Sequence, residues 1–248
     1  MRLAVLSDIH GNLLALEAAL NDLATAGGAD KVWVLGDLCA FGPRPQESLQ
    51  RLRDLKGAQI ISGNADRYLV TGSRPPNRVK EEAEWLDLPR VLVEREANFG
   101  WTVSQLRFEE AEYLAKLPPE LDMQVAGYGY VIGYHGAPGN DEYNLLPDTP
   151  DEEVLDQLSD REGRLGFGGH THRPMDRDLG WWRAVNVGSV GMPMDEMRAS
   201  YALVTFEGDQ AQIDLRRVDY DVEAVIADLQ QRNPSWQWVV GRLTAARG

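Results

Sequence analysis

The sequence predicts an α/β fold with a parallel sheet, and three observations lead to this prediction. Short apolar runs at residues 3–6, 31–35 and 58–61 have the length and composition of buried strands. Segments with leucines at helical spacing follow the first two runs, and strands that alternate with helices are typical of a parallel sheet. Polar side chains able to bind a metal follow each run, at the sheet edge where ligands usually bind.

The first strand leads directly into two such side chains, Asp8 and His10. Leucines at helical spacing over residues 13–23 then predict a helix that Asn12 could cap. Two residues apart on an extended segment, the carboxylate and the imidazole would point to the same side and could hold one divalent metal. A lone Asp-x-His triplet also fits a plain turn with a helix cap, so the interpretation depends on further ligands along the chain.

The next two strands supply further polar residues at the same edge. Asp37 follows the second strand and Asn64 follows the third, and a helix with a leucine stripe is predicted from Pro45 between them. Because the carboxyl ends of parallel strands meet at one edge, we expect these side chains to lie beside Asp8 and His10.

A helical insertion is predicted at about 74–119, within a single domain spanning 1–248. The segment opens with a loop at 74–77, mixes charged residues with leucines, and contains a helix at 109–117 that two prolines stop. The insertion could cover the candidate site or, as is more usual, only apolar sheet surface.

The second half of the chain predicts further strands and two helices. They are a hairpin at 121–126 and 130–133, a helix at 151–158, strands at 163–167 and 184–187, a hairpin at 201–206 and 210–218, and a last helix that Asp221 caps and that runs through Leu229.

All four histidines of the chain fall where a predicted strand passes into a loop. The candidate metal ligands are therefore Asp8, His10, Asp37, Asn64, His135, His170 and His172. A mixture of imidazole and carboxylate ligands suits Mn²⁺, Fe or Zn²⁺ better than Ca²⁺. Two metals would need a bridging ligand, for which a central Asp is the natural choice.

Composition limits the classes of function. The chain has 248 residues, a net charge of −14 and one cysteine. Such acidity argues against stable nucleic-acid binding, which depends on Lys and Arg. There is no membrane-spanning apolar run, no signal peptide is recognised, and no internal disulfide can form, so we expect a cytoplasmic protein without membrane contacts. The oligomeric state stays open.

Taken in order, several motifs resemble those of the calcineurin-like metallophosphoesterase superfamily. They are Asp8-x-His10, Gly36-Asp37, Gly63-Asn64, His135 and Gly169-His170-Thr171-His172. Other stretches are similar to its small bacterial phosphodiesterase-like branch, namely Gly42-Pro43, Gln105-Leu106 with Trp101, His135-Gly136-Ala137-Pro138, Gly188-Ser189-Val190-Gly191 and Arg198-Ala199-Ser200-Tyr201-Ala202-Leu203.

This resemblance implies a four-layer α-β-β-α sandwich of two mixed β-sheets and a cofactor of two divalent metal ions. Mn²⁺ is the first choice of metal, with Fe, Zn²⁺, Ni²⁺ or Mg²⁺ as alternatives. The implied ligands are Asp8, His10 and His172 for the first metal and Asn64, His135 and His170 for the second, with Asp37 as the bridge.

The resemblance also implies a dinuclear-metal phosphoesterase that hydrolyses phosphodiesters or small phosphorylated compounds. A hydroxide bridging the metals would attack phosphorus, and Asp37, Asn64 and His135 would be the catalytic residues. Protein phosphatase and dinucleotide polyphosphate hydrolase activities are alternatives on the same scaffold. A non-catalytic metal-binding scaffold is the alternative of another class.

One position departs from the family pattern. The third motif usually reads Gly-Asn-His, and that histidine assists departure of the leaving oxygen, but here the position is Ala65. The metal-binding set is complete, whereas the acid–base group is missing from its usual place. We therefore expect a preference for substrates with good leaving groups, unless another residue replaces the histidine.

Overall fold

The computed structural model describes residues 1–75 and 79–244. The strands are β1 (Arg2–Leu6), β2 (Lys31–Val34), β3 (Ala58–Ile60), β4 (Leu121–Val125), β5 (Gly129–Gly133), β6 (Leu165–Gly168), β7 (Met175–Asp178), β8 (Arg183–Asn186), β9 (Ala199–Glu207) and β10 (Gln210–Val218). The helices are α1 (Leu13–Thr25), α2 (Pro45–Arg53), α3 (Asn64–Thr71), α4 (Glu82–Gln105), α5 (Phe108–Ala115), α6 (Asp151–Leu158), α7 (Val222–Arg232) and α8 (Trp236–Thr244).

The strands form two mixed five-stranded sheets. In the first, the order is β10-β9-β1-β2-β3, with the predicted parallel trio β1, β2 and β3 extended by the antiparallel C-terminal hairpin. In the second, the order is β4-β5-β6-β8-β7, with β5, β6 and β8 parallel and an antiparallel strand at each edge. The predicted α/β class with two mixed sheets is confirmed.

The two sheets face each other across an apolar core. Leu3, Val5 and Trp33 of the first sheet belong to one buried cluster with Val131 and Phe167 of the second. The outer face of the first sheet packs against α1 and α2, and the outer face of the second packs against α6. Alternate residues of β1 therefore pack into two different layers, which explains why this central strand is apolar from Leu3 to Leu6.

Three elements were missing from the sequence prediction. Helix α3 starts at Asn64, shortly after the end of β3 at Ile60. The edge strand β7 is mostly polar, and α8 follows the helix that was predicted to be the last. Local pattern explains each omission, because α3 is short, β7 lacks a hydrophobic run, and Pro234 separates α7 from α8. The predicted cap of α7 is confirmed, since Asp221 accepts a hydrogen bond from the Ala224 N–H at 2.9 Å.

The predicted insertion contains α4 and α5, while residues 76–78 within it lie outside the described residues. Leu114 of α5 packs into the cluster on the outer face of the first sheet. Helix α4 instead buries Asn98, Phe99 and Thr102, and part of it lines a cavity beside the candidate ligands. The insertion thus covers both surfaces that the sequence analysis considered. No helix among the described residues combines the length and apolar character needed to cross a membrane.

Candidate metal centre

All seven candidate ligands lie beyond the carboxyl ends of strands from both sheets. Asp8 and His10 follow β1, Asp37 follows β2, and Asn64 begins α3 after β3. From the second sheet, His135 follows β5, while His170 and His172 follow β6. Two groups among the described residues have ligand atoms within 4.8 Å of one another: Asp8 with His10 and His172, and Asp8 with Asp37 and His135. The fold thus brings residues separated by more than 160 positions into one cluster.

The backbone at this cluster is not the extended chain that the spacing of Asp8 and His10 suggested. Asp8, His10, Asp37, His170 and His172 have φ values of 55°, 48°, 53°, 64° and 58°, in the left-handed region that non-glycine residues rarely occupy. Such strained conformations persist only where surrounding contacts impose them, and they concentrate at functional sites. Here the His10 N–H donates to the Asp37 carbonyl at 2.9 Å, which ties the first two ligand loops together.

Three histidines are oriented by backbone carbonyls. The Nδ1 atoms of His10, His135 and His172 lie within hydrogen-bond distance of the carbonyls of Ala40, Leu35 and Met192. Because a carbonyl only accepts, each Nδ1 carries the proton and each Nε2 keeps its lone pair. The three Nε2 atoms face the centre, an arrangement typical of metal-binding histidines.

Asn64 connects the remaining histidines. Its Oδ1 lies 2.9 Å from Nε2 of His135 and 2.9 Å from Nδ1 of His170. His170 therefore faces Asn64 with Nδ1, whereas His10, His135 and His172 face the centre with Nε2. The Asn64 oxygen and the two imidazoles form a compact group on the side of the centre away from His10.

The two carboxylates lie between these groups. Asp37 Oδ2 is 3.6 Å from Nε2 of His10, and Asp37 Oδ1 is 3.5 Å from Nε2 of His135. Asp8 Oδ1 is 3.1 Å from Nε2 of His172 and has no hydrogen-bond partner although it is buried. A buried carboxylate oxygen without a donor is costly, and a bound cation would remove that cost. The donor set thus fits divalent metal ions.

The electrostatics point to the same conclusion. Burial raises the pKa of Asp37 to about 6 against the opposing effect of His135. Burial also raises the pKa of Asp8, but the neighbouring His172 and His135 outweigh it and hold that pKa well below its usual range. Burial lowers the pKa of His170 to about 4. Neutral imidazoles beside ionised carboxylates are the state that binds metal, and a cation would further favour the ionised form of Asp37.

Asp66 is a supporting residue that the sequence analysis did not single out. It is fully buried and accepts hydrogen bonds from the N–H groups of Leu38 and Gly63, each at 2.9 Å. It thereby holds the Asp37 loop against the start of α3. Burial raises its pKa to about 7, with the nearby Asp37 adding to the rise. An acidic residue in the first turn of α3 is the sequence signal that could have identified it.

Two glycines allow the ligand loops to approach each other. At Gly63, an added Cβ would collide with Asp37 and lie 2.9 Å from Cε1 of His135. At Gly169, an added Cβ would collide with Ser7 and with the Asp8 carboxylate. These positions require glycine because the neighbouring loops occupy the space of a side chain.

Ala65 lies against the centre. Its N–H donates to Asp37 Oδ1 at 2.8 Å, and its side chain is buried in a cluster with Ala40, Tyr68 and Phe99. The Ala65 methyl group therefore packs in one cluster with aromatic rings from α3 and α4, and the same rings line a cavity beside the centre. Asn12 is also engaged, since it accepts from the Ala15 N–H and donates to the Gly191 carbonyl, which agrees with the predicted helix cap.

Two cavities flank the centre. One of about 270 Å³ is lined by ligands that include His10, Asp37 and His172, and by residues of α4 and α8. The other, about 660 Å³, is lined by Asn64, His170 and the acidic Glu142 and Glu153. Tyr68 borders both cavities, and burial together with the neighbouring Glu142 raises the pKa of its phenol.

Comparison with known proteins places this geometry in a family. The model of the calcineurin-like phosphoesterase superfamily domain matches residues 1–209. An uncharacterised protein of Methanocaldococcus jannaschii is 30% identical over 94% of this chain and 94% of its own length. The crystal structure of a metallophosphoesterase from Sphaerobacter thermophilus superposes with a TM-score of 0.75 at 28% identity, covering 99% of this chain and 100% of that one.

A relative with a named activity matches only in part. The symmetrical bis(5'-nucleosyl)-tetraphosphatase of Thioalkalivibrio sulfidiphilus is 28% identical over 141 residues, which is 51% of this chain and 49% of that protein.

Proposed function

This chain belongs to the calcineurin-like phosphoesterase superfamily, and we propose that it hydrolyses phosphodiesters or small phosphorylated compounds at a centre of two divalent metal ions. The family is dinuclear-metal dependent, and membership makes the chain a hydrolase of phosphoester bonds. The observation that carries the proposal is the cluster of two carboxylates and facing imidazoles, with an orphaned carboxylate oxygen, beyond the strand ends.

The proposed ligand assignment has two sides. Asp8, His10 and His172 would hold one ion, and their mutual proximity supports this. Asn64, His135 and His170 would hold the other, which is supported by the position of Asn64 Oδ1 between the two rings. Asp37 would bridge, because its two oxygens approach histidines of opposite sides. Asp8 also has a carboxylate oxygen close to ligand atoms of Asp37 and His135, so it would lie beside the second ion as well.

The bound ions would lower the pKa of the attacking water, orient the phosphate and neutralise its charge, with Mn²⁺ the first choice of metal. The chain's own residues prepare this state. Backbone carbonyls hold the protons of His10, His135 and His172 on Nδ1, which keeps Nε2 available. The Ala65 N–H and the buried surroundings position the Asp37 carboxylate before any substrate arrives.

The leaving group receives no help from residue 65. The Ala65 methyl group has no ionisable proton, so this position cannot protonate a departing oxygen. We therefore expect the enzyme to favour activated diesters and anhydrides, whose leaving groups depart as stable anions. Dinucleoside polyphosphate hydrolysis is the second candidate function, favoured by the partial similarity to a bis(5'-nucleosyl)-tetraphosphatase. A non-catalytic scaffold ranks below both because all seven candidate ligands are present.

A metal-dependent assay tests the proposal. Protein loaded with Mn²⁺ should hydrolyse bis(p-nitrophenyl) phosphate, and Asp37→Asn should lower kcat/KM by about 100-fold or more together with metal content. Asp209→Asn, an identical change in an exposed turn, is the matched control and should behave like the unmodified protein. Full activity in Asp37→Asn at normal metal content would refute the assignment.

A cytoplasmic location is part of the proposal, supported by a single, buried cysteine that precludes an internal disulfide.

A further inference from the structure

The last helix, α8, lies outside the part of the chain that matches the family model, yet it lines the cavity beside the metal centre. The match ends at residue 209, whereas α8 spans Trp236–Thr244. Trp238 and Arg242 of α8 border the same cavity of about 270 Å³ as His10, Asp37 and His172. The features of this cavity are thus not determined by the matched domain alone.

The position of α8 is anchored by buried polar contacts. Asn233, just before α8, donates to the side-chain oxygen of Asn98 on α4 at 2.8 Å, and both residues are almost completely buried. Asn98 in turn donates to the Ser235 carbonyl at 3.3 Å. Because buried amides are costly when unpaired, these contacts favour one placement of α8 against α4.

Arg242 brings a positive charge to this cavity. It makes no ion pair within residues 1–75 and 79–244, and its guanidinium lies 5.1 Å from the centre of the Trp238 ring. By contrast, Arg232 on neighbouring α7 pairs with Asp228 at 2.7 Å and with Glu47 at 3.6 Å. Arg242 is therefore available to an anion, whereas Arg232 is neutralised within the protein.

A second arginine borders the cavity from the opposite helix. Arg95 of α4 lines the cavity, with 16% of its side chain exposed, and its Nε lies 3.6 Å from the Glu96 carboxylate. Two guanidinium groups thus approach the same cavity from α4 and α8.

The wall between the arginines and the ligands is aromatic. The Phe41 ring lies 5.5 Å from that of His10, 4.9 Å from that of Phe99 and 5.1 Å from that of Trp238. These rings form an apolar wall beside Arg95, where a lower local dielectric constant strengthens ionic hydrogen bonds, whereas Arg242 is exposed and can be reached from solvent.

The cavity on the other side of the centre is lined by Glu142, which pairs with Arg67 at 2.6 Å, and by Glu153, which accepts a hydrogen bond from the Tyr143 hydroxyl. No arginine or lysine of the described residues lines that second cavity, so of the two cavities only the one beside α4 and α8 brings positive charge to the centre.

We infer that Arg242 and Arg95 bind a second anionic group of the substrate, adjacent to the phosphoryl group held at the metal centre. The inference rests on the proposed function and narrows its substrate class to compounds with two neighbouring anionic groups, such as nucleoside polyphosphates. The two arginines act as specificity residues, since they contact the part of the substrate that does not react. Arginine suits this role because its planar donors match phosphate oxygens.

The test compares two inhibitors that differ in one phosphate-like group. AMP and adenosine 5'-(α,β-methylene)diphosphate are titrated against hydrolysis of bis(p-nitrophenyl) phosphate, and the ratio of their inhibition constants is the readout. The unmodified protein should bind the diphosphate analogue more tightly. Arg242→Gln and Arg95→Gln should each weaken its binding by about tenfold while changing AMP binding much less. Arg242→Lys should retain part of the preference because the charge remains.

Arg232→Gln is the matched control, with metal content and melting temperature measured for every variant. An unchanged ratio of inhibition constants in both Arg242→Gln and Arg95→Gln would overturn the inference. If the fully metal-loaded protein hydrolyses no ester, the proposed function fails by itself. In that event, calorimetric titration of the same two nucleotides gives the ratio of their dissociation constants without any catalysis. Equal affinities of the unmodified protein for the two nucleotides would then refute the inference.

Discussion

The imidazole of His135 donates from Nδ1 to the carbonyl of Leu35 at 2.6 Å, across 100 residues of sequence. Leu35 follows a strand of the first sheet and His135 follows a strand of the second, so this hydrogen bond joins the two sheets at the metal centre. It also determines that Nε2, the nitrogen without a proton, faces the carboxylates.

Replacing His135 should separate the structural role of Nδ1 from the binding role of Nε2. The amide of asparagine can donate to Leu35 as Nδ1 does, but it provides nothing in place of Nε2. We expect His135→Asn to lose one of two bound metals while keeping the stability of the metal-free protein. His135→Ala should lose the metal and also about 1 kcal/mol of unfolding free energy. Metal analysis and denaturant unfolding check both, and equal stability of the two variants would contradict the structural role.

A methyl group at Gly63 should disrupt the centre. Because its Cβ would collide with Asp37 and crowd His135, we expect Gly63→Ala to lower metal affinity by about 10–100-fold and to destabilise the protein by about 1–3 kcal/mol. Gly100→Ala in α4 is the control, since an added Cβ there meets no atom within 4 Å and alanine favours a helix. Similar melting temperatures and metal contents for the two variants would show that the ligand loops tolerate a side chain.

As pH falls, the metal ion on the side of the centre that contains His135 should be lost first. Burial lowers the pKa of His135, but Asp37 and Asp8 outweigh it and raise the net value, whereas burial lowers those of His10 and His170. As pH falls, the group with the raised pKa takes its proton first, and a protonated imidazole cannot bind metal. We expect stepwise loss of metal as pH falls, with the first step beginning above the ordinary histidine pKa of about 6.5, where His135 takes its proton, and with a matching loss of activity.

Metal stoichiometry followed by equilibrium dialysis measures this order. His135→Asn, which already lacks the acid-sensitive ligand, should lose its remaining metal in a single step. The prediction would be contradicted if His135→Asn began to lose metal at the same pH as the unmodified protein. It would also be contradicted if the unmodified protein kept all its metal throughout the acid range.

The packing of Ala65 predicts a steep dependence of rate on the leaving group. General acid catalysis typically contributes about 10²–10⁴-fold, and it matters most for poor leaving groups such as a serine side chain. We expect rates to fall sharply as the pKa of the leaving group rises, and phosphoserine peptides to be weak substrates. A series of substituted aryl and alkyl phosphodiesters measures this slope.

Two variants identify any replacement for the missing histidine. Ala65→His should not restore hydrolysis of poor leaving groups, because the side chain would have to displace Tyr68 or Phe99. Tyr68→Phe removes a phenol hydroxyl that borders both cavities. A shallow slope in the unmodified protein that becomes steep in Tyr68→Phe would show that this phenol supplies the proton and that the prediction from Ala65 is wrong.

Much of the fold could be predicted because its information is local. The strands that carry Asp8, Asp37 and Asn64 are apolar runs bounded by polar residues, and the helix caps at Asn12 and Asp221 are single-residue signals. The spacing and type of apolar residues indicate which side of a single helix or strand is buried. They therefore identify the edge of the sheet and the polar residues that follow it. The same information predicted all seven candidate ligands as one group.

Tertiary structure decided what depends on residues distant in sequence. The His170 N–H donates to the Asp8 carboxylate across 162 positions, and no local period records such a contact. The left-handed backbone at the ligands, the buried role of Asp66 and the arrival of α8 beside His10 all result from packing between loops of two sheets. By itself, the sequence determined which side chains could bind metal; only the packing of the two sheets decided how those side chains face one another and which arginines approach them.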